Sequence, residues 1–99
     1  MRVIARKTLK IFWEKFGNRD AEQPLRAWFA EAKTANWKKP QDIKDSYRSA
    51  SFVGKDRVIF NIGGNKYRLV TAIKYDFGIL YVRFIGTHKQ FDKIKVEEV

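Results

Sequence analysis

A chain of 99 residues is expected to fold as one domain over positions 1–99, with no room for a second hydrophobic core. Hydrophobic residues make up 44% and aromatics 15%, enough to bury, so disorder is not expected. Twenty-one Lys and Arg against eleven Asp and Glu give a formal charge of +10, a field that attracts polyanions and points to nucleic acid or an acidic protein as partner.

No apolar run approaches the ~20 residues of a membrane span. Arg2, Arg6 and Lys7 also put charge where a signal peptide would carry its apolar stretch. No helical pattern combines a lysine-rich face with a large exposed apolar face, so an anionic membrane is not the expected partner. A soluble, cytoplasmic protein is the reading. The absence of cysteine excludes thiolate metal sites and thiol catalysis.

Residues 2–5 form a short apolar segment that predicts an opening strand. Two helical patterns follow. Leu9, Phe12, Trp13 and Phe16 fall at i, i+3, i+4 and i+7, and so do Leu25, Trp28, Phe29 and Ala32. Gly17-Asn18 stops the first helix; Asp20 is placed to cap the second, with Pro24 in its tolerant first turn. Each stripe is apolar on one side only, which predicts a helical hairpin lying on a sheet. Residues 34–51 are polar, with Pro40 at their middle and Trp37, Ile43 and Tyr47 as anchors, and have room for at most one short helix.

From Phe52 the period changes to two. Residues 57–62, 66–75 and 79–85 read as three strands, with turns at Gly63-Gly64-Asn65 and Asp76-Phe77-Gly78, an antiparallel meander. Residues 88–94 have room for one or two helical turns. The expected fold is α+β: an N-terminal strand, a helical hairpin on one face of a three- or four-stranded antiparallel sheet, and a short C-terminal helix.

Strand parity then places the cations, because residues two apart share a face. Val58, Phe60 and Ile62 go to the apolar face with Leu69, Ile73 and Tyr75, and with Leu80, Val82 and Phe84. Arg57, Asn61, Arg68, Val70, Ala72, Lys74, Tyr81, Arg83 and Ile85 go to the other. Every charged residue at these positions of the second face is positive, so an anionic ligand would relieve their repulsion. His88, the only histidine, follows the last strand beside Lys89.

Such a face suits one reaction. RNA cuts itself when its 2′-hydroxyl is held in line with the adjacent phosphorus, extra charge there is neutralised, and a proton moves at each end. Arginine grips phosphate oxygens in pairs, and an imidazole, with a reference pKa of about 6.5, exchanges protons near neutrality. No metal or other cofactor is called for, and the clustered carboxylates of a magnesium-dependent nuclease are not seen. A non-catalytic RNA-binding module and a basic adaptor for an acidic protein are the alternatives that these residues leave open.

The segments Phe60-Asn-Ile-Gly-Gly-Asn-Lys-Tyr-Arg-Leu-Val70, Tyr81-Val-Arg-Phe-Ile-Gly-Thr-His88 and Phe91-Asp92 together resemble the HigB-type toxins of the RelE superfamily. The resemblance is close over the C-terminal half, with the helical hairpin ahead in the expected order. It implies a ribosome-dependent messenger-RNA endonuclease acting on codons in the A site of the small ribosomal subunit. It also implies an antitoxin partner of the HigA kind, with a heterotetramer among the assemblies such a pair would form. By that resemblance Arg68 stabilises the cleaved phosphate, and His88, Lys89 and Asp92 fall where catalytic or substrate-binding groups are kept. Arg57, Asn61, Lys66, Lys74, Arg83 and Phe91 are the expected RNA contacts. The family commonly has tyrosine where this chain has Phe91, and glutamate where it has Gln90. A phenyl ring can stack on a base but cannot exchange a proton, so His88 or Asp92 must act instead, or the reaction is slower.

Overall fold

A computed structural model describes residues 1–99. The chain runs β1 (Arg2–Ile4), α1 (Arg6–Glu14), α2 (Glu22–Thr34), α3 (Pro40–Ser46), β2 (Ser51–Val53), β3 (Arg57–Ile62), β4 (Tyr67–Lys74), β5 (Ile79–Thr87) and α4 (His88–Phe91). No helix is long and apolar enough to cross a membrane.

The α+β architecture is the expected one, with a larger and mixed sheet. Five strands lie in the order β1-β5-β4-β3-β2. β3, β4 and β5 form the antiparallel meander. β1 joins its outer edge parallel to β5, and the three-residue β2 extends the other edge. Two- and three-residue pairings carry too little periodicity to announce their partners, which is why a three- or four-stranded antiparallel sheet was the expectation.

The two amphipathic stripes pack as their spacing requires. Leu9, Phe12 and Trp13 of α1 and Leu25, Trp28 and Ala32 of α2 are buried against Val58, Phe60, Ile62, Leu69, Ile73 and Leu80. Trp37 and Ile43 seal the connector side, and Phe60 meets the rings of Trp28, Trp37 and Tyr47. Phe16 departs from its expected core position. The chain leaves the helix after Glu14, with Lys15 extended, and the Phe16 ring is almost wholly exposed. Asp20 does not cap α2 either; it sits in a 3-10 turn ahead of the helix, and its carboxylate is engaged elsewhere.

The parity argument holds through β3 and β4, where Asn61 pairs with Arg68 and Arg57 with Ala72. On β5 it holds only as far as Val82. Thr71 pairs with Val82 but Val70 with Phe84, so Arg83 is the extra residue of a β-bulge. The bulge inverts the alternation beyond it. Ile85 turns to the helix side and packs on the core, while Phe84 shares the opposite face with Val70. Both assignments therefore reverse the expected ones.

That opposite face is not an ordinary solvated one. Ile59, Val70 and Ala72 are buried there. After α4 the chain doubles back along the sheet, bringing Glu97 beside Gly54 and the Val99 carbonyl to Arg57 and Arg83.

Candidate active site

The hairpin between β3 and β4 turns on Gly63 and Gly64, whose φ values of +62° and +69° are reached cheaply only by glycine. It returns the chain so that Arg68 stands between Asn61 of β3 and Gly86 of β5. The Arg68 guanidinium donates from Nη1 to the carbonyls of Asn65 (2.9 Å) and Tyr67 (3.4 Å). Its other N–H groups make no bond within the protein and face outward.

Gly86 has a different reason to be glycine. A Cβ there would lie 2.5 Å from Phe84 Cζ and 2.8 Å from Gln90 Oε1. Beside it a reciprocal cap opens α4: Thr87 Oγ1 accepts the Gln90 N–H (3.2 Å), and Gln90 Oε1 accepts the Thr87 N–H (2.8 Å). His88 is the first residue of the turn so fixed.

These elements enclose an open cleft of about 640 Å³, lined only by Asn65, Lys66, Arg68, Thr87, His88 and Lys89. Four residues picked from the sequence (Lys66, Arg68, His88 and Lys89) are thus brought to one place from β4, the hairpin and α4. Lys66 is not an idle cation. Its ammonium and the Tyr67 hydroxyl both donate to the Asp20 carboxylate, across 46 and 47 residues of chain. Those bonds, from Lys66 first and Tyr67 next, hold the Asp20 carboxyl below the usual carboxylate range, and Asp20 in turn raises the Lys66 ammonium. Lys66 therefore remains protonated and tethers the hairpin to the helical layer.

The other expected residues lie outside the cleft. Asp92 and Phe91 flank it on α4 without lining it. Asp92 Oδ2 stands 3.9 Å from His88 Nδ1, beyond hydrogen-bond length. Asn61 lines a groove on the other side of the hairpin, with Trp28 and Tyr47. Arg57, Lys74 and Arg83 line a separate recess farther along the sheet. There the expectation of purely positive charge fails. Asp56, from the turn before β3, accepts from Arg57 (2.6 Å) and from Lys74 (2.7 Å).

Sequence reasoning passed over Asn65, Thr87, Asp20 and Asp56. The Thr87-x-x-Gln90 spacing is a readable capping signal; the long-range partnership of Asp20 has no local signature. The cleft offers a guanidinium for phosphate oxygens, an imidazole for proton exchange, and two ammonium groups for the flanking backbone.

Known proteins share this arrangement of elements. The chain is 32% identical over 94 residues to the mRNA interferase toxin HigB of Escherichia coli (strain K12), an overlap of 93% of this chain and 88% of that protein. The mRNA interferases HigB of Escherichia coli O157:H7 and Shigella flexneri match to the same extent. Residues 21–94, from the Asp20 turn through α4, match the family described as HigB_toxin, the RelE-like toxic component of a toxin–antitoxin system. With that match covering the helical layer, the meander and the cleft, the chain belongs to the HigB toxin family.

Proposed function

We propose that this toxin is a ribosome-dependent endoribonuclease that cuts translated messenger RNA in the cytoplasm through the RNA's own 2′-hydroxyl. The bond from the 2′ oxygen to phosphorus forms while the bond from phosphorus to the 5′ oxygen breaks, leaving a 2′,3′-cyclic phosphate and a 5′-hydroxyl. Arg68 neutralises the charge that grows on the phosphate oxygens. His88 carries the proton at one end, being the one side chain of the cleft that changes charge near neutral pH, and water serves the other. Lys66 and Lys89 hold the strand on either side. The partner that silences it is an antitoxin of the HigA kind, and the HigB names of its relatives support the same reading.

One observation carries the proposal: Arg68 and His88, twenty residues apart and from different elements, line a single polar cleft. The test is to induce the toxin briefly without antitoxin and map new 5′-hydroxyl ends on messenger RNA. Ends in register with the reading frame are expected from the wild type, and neither ends nor growth arrest from Arg68→Ala or His88→Ala. Full toxicity in both variants would overturn the site. Tight ribosome binding without new ends would instead favour a non-catalytic RNA-binding module.

A further inference from the structure

The recess beyond the cleft is held shut by the protein's own backbone. Arg57 Nη2 and Arg83 Nε both donate to the carbonyl of Val99, at 2.8 and 3.2 Å. Arg57 Nη1 and Lys74 Nζ share the Asp56 carboxylate. The Lys74 hydrogen bond is the main reason that this carboxyl is held below its usual range. Arg57 Nε is buried with no partner at all.

Counting charge, three cations meet one carboxylate and one neutral carbonyl. The geometry that two guanidiniums adopt around a single oxygen is the geometry they use on an anion, and hydrogen bonds to an ionised acceptor are roughly twice as strong as those to a neutral one. The recess is therefore underfilled electrostatically. We infer that it is a second backbone-phosphate subsite for the same RNA strand, and that the Val99 carbonyl is a displaceable stand-in for a phosphate oxygen. The inference rests on the RNA-cleaving reading of the cleft.

Spacing supports one continuous strand. Ala72, in the recess, is four residues along β4 from Arg68, ~13 Å at ~3.3 Å per residue. Tyr81 lies beside Ala72 on β5, so an aromatic ring stands among the cations, the combination that single-stranded RNA favours. A strand anchored at Arg68 and running along β4 would meet Arg83 and Arg57 next. It would have to lift residues 95–99 to do so. These residues are lightly held, with Val96 and Val99 only half-buried.

The test separates this inference from the catalytic one by using RNA that cannot be cut. Fully 2′-O-methylated oligonucleotides are bound at low salt to the purified full-length protein: a dinucleotide that spans only the cleft, and a hexanucleotide that reaches the recess. Arg83→Ala is expected to weaken the hexanucleotide about tenfold and to reduce its log-affinity against log-salt slope by about 0.7, leaving the dinucleotide unchanged. Lys33→Ala, far away on α2, should change neither. Val96→Gly, which loosens the segment without touching a cation, should tighten the hexanucleotide.

Unchanged or tighter hexanucleotide binding in Arg83→Ala, with the slope intact, would show that Arg83 only latches the chain and would overturn the subsite. So would undetectable hexanucleotide binding by the wild type. A loss seen on ribosomes but not on the oligonucleotide would assign the phosphate to ribosomal RNA and overturn the single-strand path. Failure of the catalytic reading would appear elsewhere, as an absence of cleaved ends with oligonucleotide binding intact.

Discussion

At the scale of single residues, the usefulness of Arg68 comes from how little of it is committed. Two backbone carbonyls hold one nitrogen in place and leave the rest of the planar fork for a ligand. Removing an oxyanion-stabilising donor of this kind costs roughly 10²–10³ in rate, so Arg68→Ala should cut message at that fraction of the wild-type rate in a translating extract. Arg68→Lys should recover only part, because an ammonium cannot pair with two oxygens at once. Asp20 acts at one remove. Its ionised form is favoured in the folded state by Lys66 and Tyr67, so the folded protein binds fewer protons there than the unfolded chain. That contribution is full above the ordinary carboxylate pKa and is lost as pH falls through the lowered one. The wild type should therefore lose stability over Asp20→Asn as pH is taken from neutral into the acid range, a convergence that urea titrations at several pH values will read out.

At the scale of elements, three devices set the cleft: the Gly63-Gly64 turn, the β5 bulge and the Thr87–Gln90 cap. The cap decides where His88 begins, so Thr87→Ala should lose about 1 kcal/mol of local stability. It should lower cleavage while leaving the far recess intact. Amide exchange at Gln90, measured beside activity, distinguishes local fraying from global loss. Gly86→Ala should act on the same cap from the other side. Its Cβ must displace either the Phe84 ring or the Gln90 carboxamide. The aromatic packing is a separate matter. Phe60 touches three rings from α2, the connector and the end of α3. Phe60→Ala should cost about 3–5 kcal/mol in a urea midpoint analysis, because those rings cannot all collapse into the space left.

At the scale of the whole molecule, charge and core are divided between the two faces of one sheet. The helical face is apolar and closed; the opposite face carries the cleft and the cationic recess. Long-range attraction from a net charge of +10 speeds the meeting with RNA, while the short contacts at Arg68 and His88 select what happens there. Association with ribosomes should consequently weaken steeply between about 50 and about 200 mM salt, each neutralised phosphate of a single strand adding ~0.7 to the slope. The rate of cutting by toxin already bound should change far less, which single-turnover measurements at several salt concentrations will separate.

The sequence by itself determined the α+β class, the two helices, the meander and the face on which Arg68 lies. These follow from periods of 3.6 and two, and a period is a local property. Family membership was legible for a similar reason, because hairpin, strand and Thr-His turn sit within thirty residues of one another. Only the tertiary structure decided what depends on distant partners. Among these are the parallel seat of β1, the exchange of Phe84 and Ile85 by a bulge, and the capture of Asp20 by Lys66 and Tyr67. So is the return of residues 95–99 onto Arg57 and Arg83. A carboxylate more than forty residues away leaves no mark on the spacing of its partner, and a single extra residue in a strand shows only when the neighbouring strand is laid beside it.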